Sequence, residues 1–142
     1  MLDCKRNRLD YGQLLCPPPG YQLDQAVAAT YSADLATLLS IPVALVYAQT
    51  LEGDLSGARF QLLEAIKQFS SRVKVYHQAG QLHVPTKLNW LYAHLEDALE
   101  EVLPDDAFTA FHPKVWIIRY TPIEEAQEPL NHFRIIVLSR NL

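Results

Sequence analysis

Residues 112–120, HPKVWIIRY, and residues 133–141, FRIIVLSRN, decide the fold of this chain. Each contains a short run of β-branched and aromatic side chains, which suits a pleated, half-buried surface. The runs read as strands over Val115 to Tyr120 and Phe133 to Leu138. The connection between them, of about a dozen residues, carries Pro122, Pro129 and the acidic Glu124, Glu125 and Glu128, so it reads as a decorated hairpin loop. An antiparallel register centred between Ala126 and Gln127 sets His112 opposite Asn141 and Lys114 opposite Ser139. Cross-strand neighbours on one face have Cβ atoms roughly 5 Å apart. An imidazole, an ammonium, a hydroxyl and a carboxamide are thereby expected on one patch.

Upstream of the hairpin, strand and helix signals alternate. Asp24 to Thr30 (DQAVAAT) reads as a first strand, and Ser32 as the N-cap of a short helix ending near Leu39. The apolar run Pro42 to Tyr47 reads as a central, doubly covered strand. A loop at Gly53 to Ser56 leads into a helix over Ala58 to Phe69, where Leu62, Leu63, Ile66 and Phe69 recur at helical spacing. Arg72 to Tyr76 alternates as a strand, Gly80 marks a turn, and a longer helix is expected from Thr86 to Leu103 before Pro104. Residues 1–23, with Cys16-Pro17-Pro18-Pro19-Gly20, read as an extended lead-in that packs on the core. The expected fold is one α/β domain over residues 1–142, with an α-β-α layering and a mixed, mostly parallel sheet closed by an antiparallel hairpin.

Bulk composition narrows the function. A chain of 142 residues with 49% apolar and 20% charged residues fits one globular domain. A net charge of −4 argues against a whole-surface grip on nucleic acid, although a local basic pocket is compatible with it. Cys4 and Cys16 lack partners at ligand spacing and read as free thiols in a reducing cytoplasm. No metal-ligand cluster or cofactor motif is evident, the N-terminus has no secretory apolar segment, and no apolar run is long enough to span a membrane.

His112 and Lys114 lie two residues apart, so on a strand they share a face. A nucleophile beside a fixed positive charge suits attack on a phosphodiester. The pattern resembles the phospholipase D superfamily, whose signature is His-x-Lys, then Asp after four residues, then Gly-Ser-x-Asn. His112 and Lys114 match its first part, and Ser139 and Asn141 its last. Arg119 stands at the Asp position and Leu138 at the Gly position, and the 121–131 insertion lengthens the gap. Loss of that Asp makes the chain look most like the tyrosyl-DNA phosphodiesterase and nuclease-like branch. The likeness is specific over residues 111–142 and rests on strand–helix order alone before them.

The resemblance implies that His112 is the nucleophile or its acid/base counterpart, through a phosphohistidine. Lys114 and Asn141 would hold the phosphate, with Ser139 in support. It implies a phosphodiester substrate, DNA or RNA rather than lipid, and no metal. The scheme needs two histidines, so this chain would supply half a site, the other coming from a further C-terminal half or a second copy. The abrupt end after a strand fits a piece of a longer protein. Plainer readings stand beside this one. His112 is also what a partly buried strand histidine looks like, and Arg119 in place of Asp also fits a non-catalytic phosphate- or partner-binding domain. His77, His83, His94 and His132 have no ligand-like spacing, and Trp90 and Trp116 read as core or rim aromatics.

Overall fold

A computed structural model describes residues 15–50, 58–87, 90–106, 108–124 and 130–142. Cys4, the Gly53 to Ser56 loop and the centre of the 121–131 segment lie outside them. The elements run β1 (Tyr21–Thr30), β2 (Ala33–Asp34), α1 (Leu35–Thr50), α2 (Ala58–Arg72), β3 (Val73–Gln78), β4 (Leu82–His83), a 3-10 helix (Trp90–Ala98), β5 (Leu99–Val102), β6 (Lys114–Pro122) and β7 (His132–Val137). Five strands form a mixed sheet in the order β5-β3-β1-β6-β7, and β2 and β4 form a small separate pair. β1 pairs in parallel with β3, and β3 with β5, whereas the β1–β6 and β6–β7 pairings are antiparallel. The expected mixed α/β fold with a closing antiparallel hairpin is present, but the sheet is evenly mixed rather than mostly parallel, because β6 pairs antiparallel with β1 as well as with β7.

The period-two alternation of the central strands explains the core. Ala26 and Ala28 of β1, Val73 and Val75 of β3, and Trp116, Ile118 and Tyr120 of β6 all point to one buried face. Small alanines on β1 leave room for Leu38 and Ile41 of α1, Ile66 and Phe69 of α2, and Leu95 of the 3-10 helix, which complete the same cluster. Val27, Tyr76 and Ile117 belong to the opposite face and are exposed. Leu15 of the lead-in is buried in the core, and its carbonyl accepts a hydrogen bond from the Tyr120 hydroxyl at 3.2 Å.

Two elements differ from expectation. Pro42 to Tyr47 is not a strand: it continues α1, which runs on to Thr50 rather than ending near Leu39. Ser32 is not its cap. Asp34 is, since its Oδ1 accepts the Ala36 N–H at 3.0 Å and its Oδ2 accepts the Thr37 hydroxyl. A continuous apolar run fits a buried helix as well as a buried strand, and Pro42 could not have donated to a central ladder. The helix expected over Thr86 to Leu103 is also absent. A 3-10 helix occupies Trp90–Ala98, and the chain then straightens into β5, which covers the outer edge of β3 through pairs such as Val75–Leu99 and His77–Glu101. Satisfying that edge outweighs the helical propensity of the segment's Leu, Ala and Glu residues. Lys74 reinforces the junction, with Nζ donating to Glu100 Oε1 at 3.2 Å and to the Asp97 carbonyl.

Candidate functional site

β6 begins at Lys114, and His112 lies just before it. Lys114 Nζ is 3.0 Å from His112 Nδ1 and 3.3 Å from Nε2. An ammonium only donates, so the imidazole is the acceptor in this contact. Among the described residues no carboxylate pairs with Lys114: the two ion pairs present are Lys74–Glu100 and Arg119–Asp24. Among the described residues, then, this cation has no direct ion-pair partner.

The register of the hairpin corrects the sequence expectation by one residue. Val115 pairs with Val137 and Trp116 with Ile136, and the Leu138 N–H donates to the Lys114 carbonyl at 2.8 Å. Leu138, not Ser139, therefore stands opposite Lys114, and His112 is not the ladder partner of Asn141. A slip of one residue exchanges the faces that side chains occupy, so a continued strand would have turned Ser139 and Asn141 away from Lys114. The chain does not continue the strand. β7 ends at Val137, and the chain crosses the end of β6 to reach β1, where the Leu142 N–H donates to the Thr30 hydroxyl at 3.2 Å.

Thr30 is the ladder partner of Lys114 on one side and of His77 on the other, so His77, Thr30 and Lys114 share one row on the helix-covered face. The hydrogen bond from residue 142 thus brings Asn141 to the row that carries Lys114. Ser139 is exposed, whereas the Asn141 Oδ1 is buried without a hydrogen-bond partner among the described residues. The orphan atom is an acceptor and offers nothing to an anion, so a phosphate contact at Asn141 falls to its amide N–H groups.

No local sequence pattern marks the groups that hold His112. Tyr31 follows β1 directly and lays its ring against the imidazole, with centroids 5.1 Å apart and planes tilted by 39°. Gln78, the last residue of β3, accepts the Phe111 N–H on Oε1 at 2.9 Å and fixes the backbone just before His112. Its own N–H donates to the Tyr31 carbonyl at 3.2 Å, which ties the two supports together. Both residues, like Thr30, sit at the C-terminal ends of parallel strands. That is where open α/β sheets bind ligands, and the rule would have found them once the strand order was known.

Arg119 faces away, as its odd position on the strand predicts. It pairs with Asp24 beside the irregularity in β1, and its Nη2 donates to Gln25 Oε1 at 3.0 Å. Among the described residues no group of three His, Cys, Asp or Glu side chains is placed to hold a metal ion. No described helix is long and apolar enough to cross a membrane. Cys16 is an exposed free thiol. No protein-family model, no curated protein and no solved structure matches the chain.

Proposed function

We propose that this chain is one half-site of a phospholipase D-like phosphodiesterase, acting on nucleic acid through a phosphohistidine. The observation that carries the reading is the 3.0 Å contact between His112 and Lys114, a cation with no ion-pair partner among the described residues, beside an imidazole at the end of the sheet where open α/β folds bind ligands. In the proposed reaction a lone-pair nitrogen of His112 attacks phosphorus, forming an N–P bond as the P–O bond to the leaving group breaks. A histidine of the second half-site gives its proton to the departing oxygen. Water then attacks the phosphohistidine, that second histidine takes the proton back, and His112 is released. Lys114 swings from the imidazole to a non-bridging oxygen and offsets the charge that develops there. Asn141 donates its amide N–H groups to the same phosphate. The second half-site comes from a further C-terminal half or from a second copy of the chain, and the α-β-α layering of the family belongs to this same proposal.

The test is hydrolysis of bis-p-nitrophenyl phosphate and of DNA by the protein carrying both half-sites, with and without His112→Ala. The proposal requires a loss of at least about a thousandfold, on the scale of removing a nucleophile. Turnover at the unmodified rate sinks it. The second reading is a non-catalytic phosphate-binding domain, and Arg119 at the motif's Asp position favours it. It predicts phosphate binding that needs Lys114, with no turnover in any assembly.

A further inference from the structure

A cavity of about 340 Å³ opens at the opposite end of the sheet from His112. Ile41 of α1, Phe69 and Arg72 of α2, Val73 at the start of β3, and Trp116 of β6 line it. None of His112, Lys114, Ser139 or Asn141 does. Ala26 on its wall is four residues before Thr30 on β1, roughly 13 Å along an extended strand. The cavity is thus distinct from the His112 site in its lining, although Trp116 on its wall is two residues from Lys114 along β6.

Its walls are mostly apolar, with polar groups at Tyr21, Gln22 and Gln68, and Arg72 is the one charged side chain among the described lining residues. Among the described residues that guanidinium makes one hydrogen bond, from Nη1 to the Leu23 carbonyl at 2.7 Å. It joins neither of the two ion pairs found among the described residues. A guanidinium has five N–H donors in a fixed fork, so one anchoring bond leaves donors for a bidentate carboxylate. A cation on an apolar wall without a counter-charge is unfavourable, and an anion seated there removes the penalty. The volume falls at the low end of small-molecule sites, roughly 300–1,000 Å³. A single cation does not match a polyanion.

We propose that this cavity binds an amphiphilic monoanion, a medium-chain fatty carboxylate, with its head on Arg72 and its chain against Ile41, Phe69, Val73 and Trp116. The probes are decanoate and its uncharged counterpart decanol. They are titrated into the 142-residue chain carrying Trp90→Phe, so that Trp116 is the remaining tryptophan and reports from the cavity wall. The expected result is a saturable change in emission, with decanoate bound at least tenfold more tightly than decanol. Arg72→Met keeps most of the apolar stem, and it abolishes the tenfold preference without weakening decanol. Ala65→Phe fills the cavity from α2 and abolishes binding of both, with the far-ultraviolet circular dichroism unchanged; it decides the matter alone if Arg72→Met does not fold. Absence of saturation below the micellar range of decanoate overturns the proposal. So does a preference that survives Arg72→Met, or unchanged affinity in Ala65→Phe.

Discussion

Replacing Thr30 by valine removes one hydroxyl and little else. The side chain is 1% exposed, and valine matches its shape and its strand preference, so neither a cavity nor a propensity change enters. The hydroxyl donates to the Ser32 carbonyl at 2.9 Å and accepts the Leu142 N–H at 3.2 Å. Leu142 is itself 6% exposed, so its N–H loses its partner where water is scarce. An orphaned buried donor costs about 1–3 kcal/mol, and the half-buried Ser32 carbonyl adds less because water can reach it. The expected loss is about 2–3 kcal/mol in urea unfolding, or roughly 6–12 °C in Tm for a chain of this size. Thr30→Ser keeps both hydrogen bonds and gives up one methyl, so it should cost only about 1 kcal/mol. The contrast between the two variants is the informative quantity. A Thr30→Val loss below about 0.5 kcal/mol, or one equal to that of Thr30→Ser, would refute the idea that Thr30 fixes the chain end beside Lys114.

Three further outcomes follow from the same structure. Asp34→Ala removes the cap of α1 and should cost about 1 kcal/mol in urea, with Asp34→Asn recovering most of it. Burial raises the Tyr120 phenol above its ordinary value of 10.0, opposed by Arg134 and assisted by Cys16. The folded state therefore holds this proton more tightly than the unfolded one. The stability this contributes is present in full below pH 10 and is lost as pH rises through the folded value, so Tyr120→Phe should flatten the decline measured between about pH 9 and 11. Arg119→Gln should cost less than about 1 kcal/mol, because the ion pair with Asp24 is about one-third exposed and partly screened. It should also leave phosphate binding at His112 unchanged, since Arg119 lies on the opposite face; a marked loss of binding would place it in the site after all.

The sheet could be read where side-chain period alone decides structure. β1, β3, β6 and β7 announce themselves by alternation or β-branched runs, and α2 by its Leu62–Ile66–Phe69 stripe. α1 is not legible as a helix in its second half because Pro42 to Tyr47 is apolar throughout and carries no period, although Pro42 itself speaks against a central ladder. β5 was missed because Leu-Glu-Glu-Val has no strand signal of its own; pairing with β3 makes it a strand. His112 and Lys114 were legible as a pair because two residues on a strand share a face. The route of Asn141 was not, since it depends on where β7 leaves the ladder and on a hydroxyl on β1, far away in sequence. Tyr31 and Gln78 stayed invisible for a similar reason: the parallel register of β1 and β3 brings them to His112, and no local pattern encodes it.

The most direct measurement is a titration of the 142-residue chain with inorganic phosphate, followed by NMR at the His112 ring and the Asn141 side-chain amide. One half-site with one cation predicts a saturable response at both groups with Kd of about 1–10 mM, equivalent to about 3–4 kcal/mol, and its disappearance in Lys114→Met. Shifts confined to one of the two groups, or a response indifferent to Lys114→Met, would contradict the claim that these three side chains hold one phosphate.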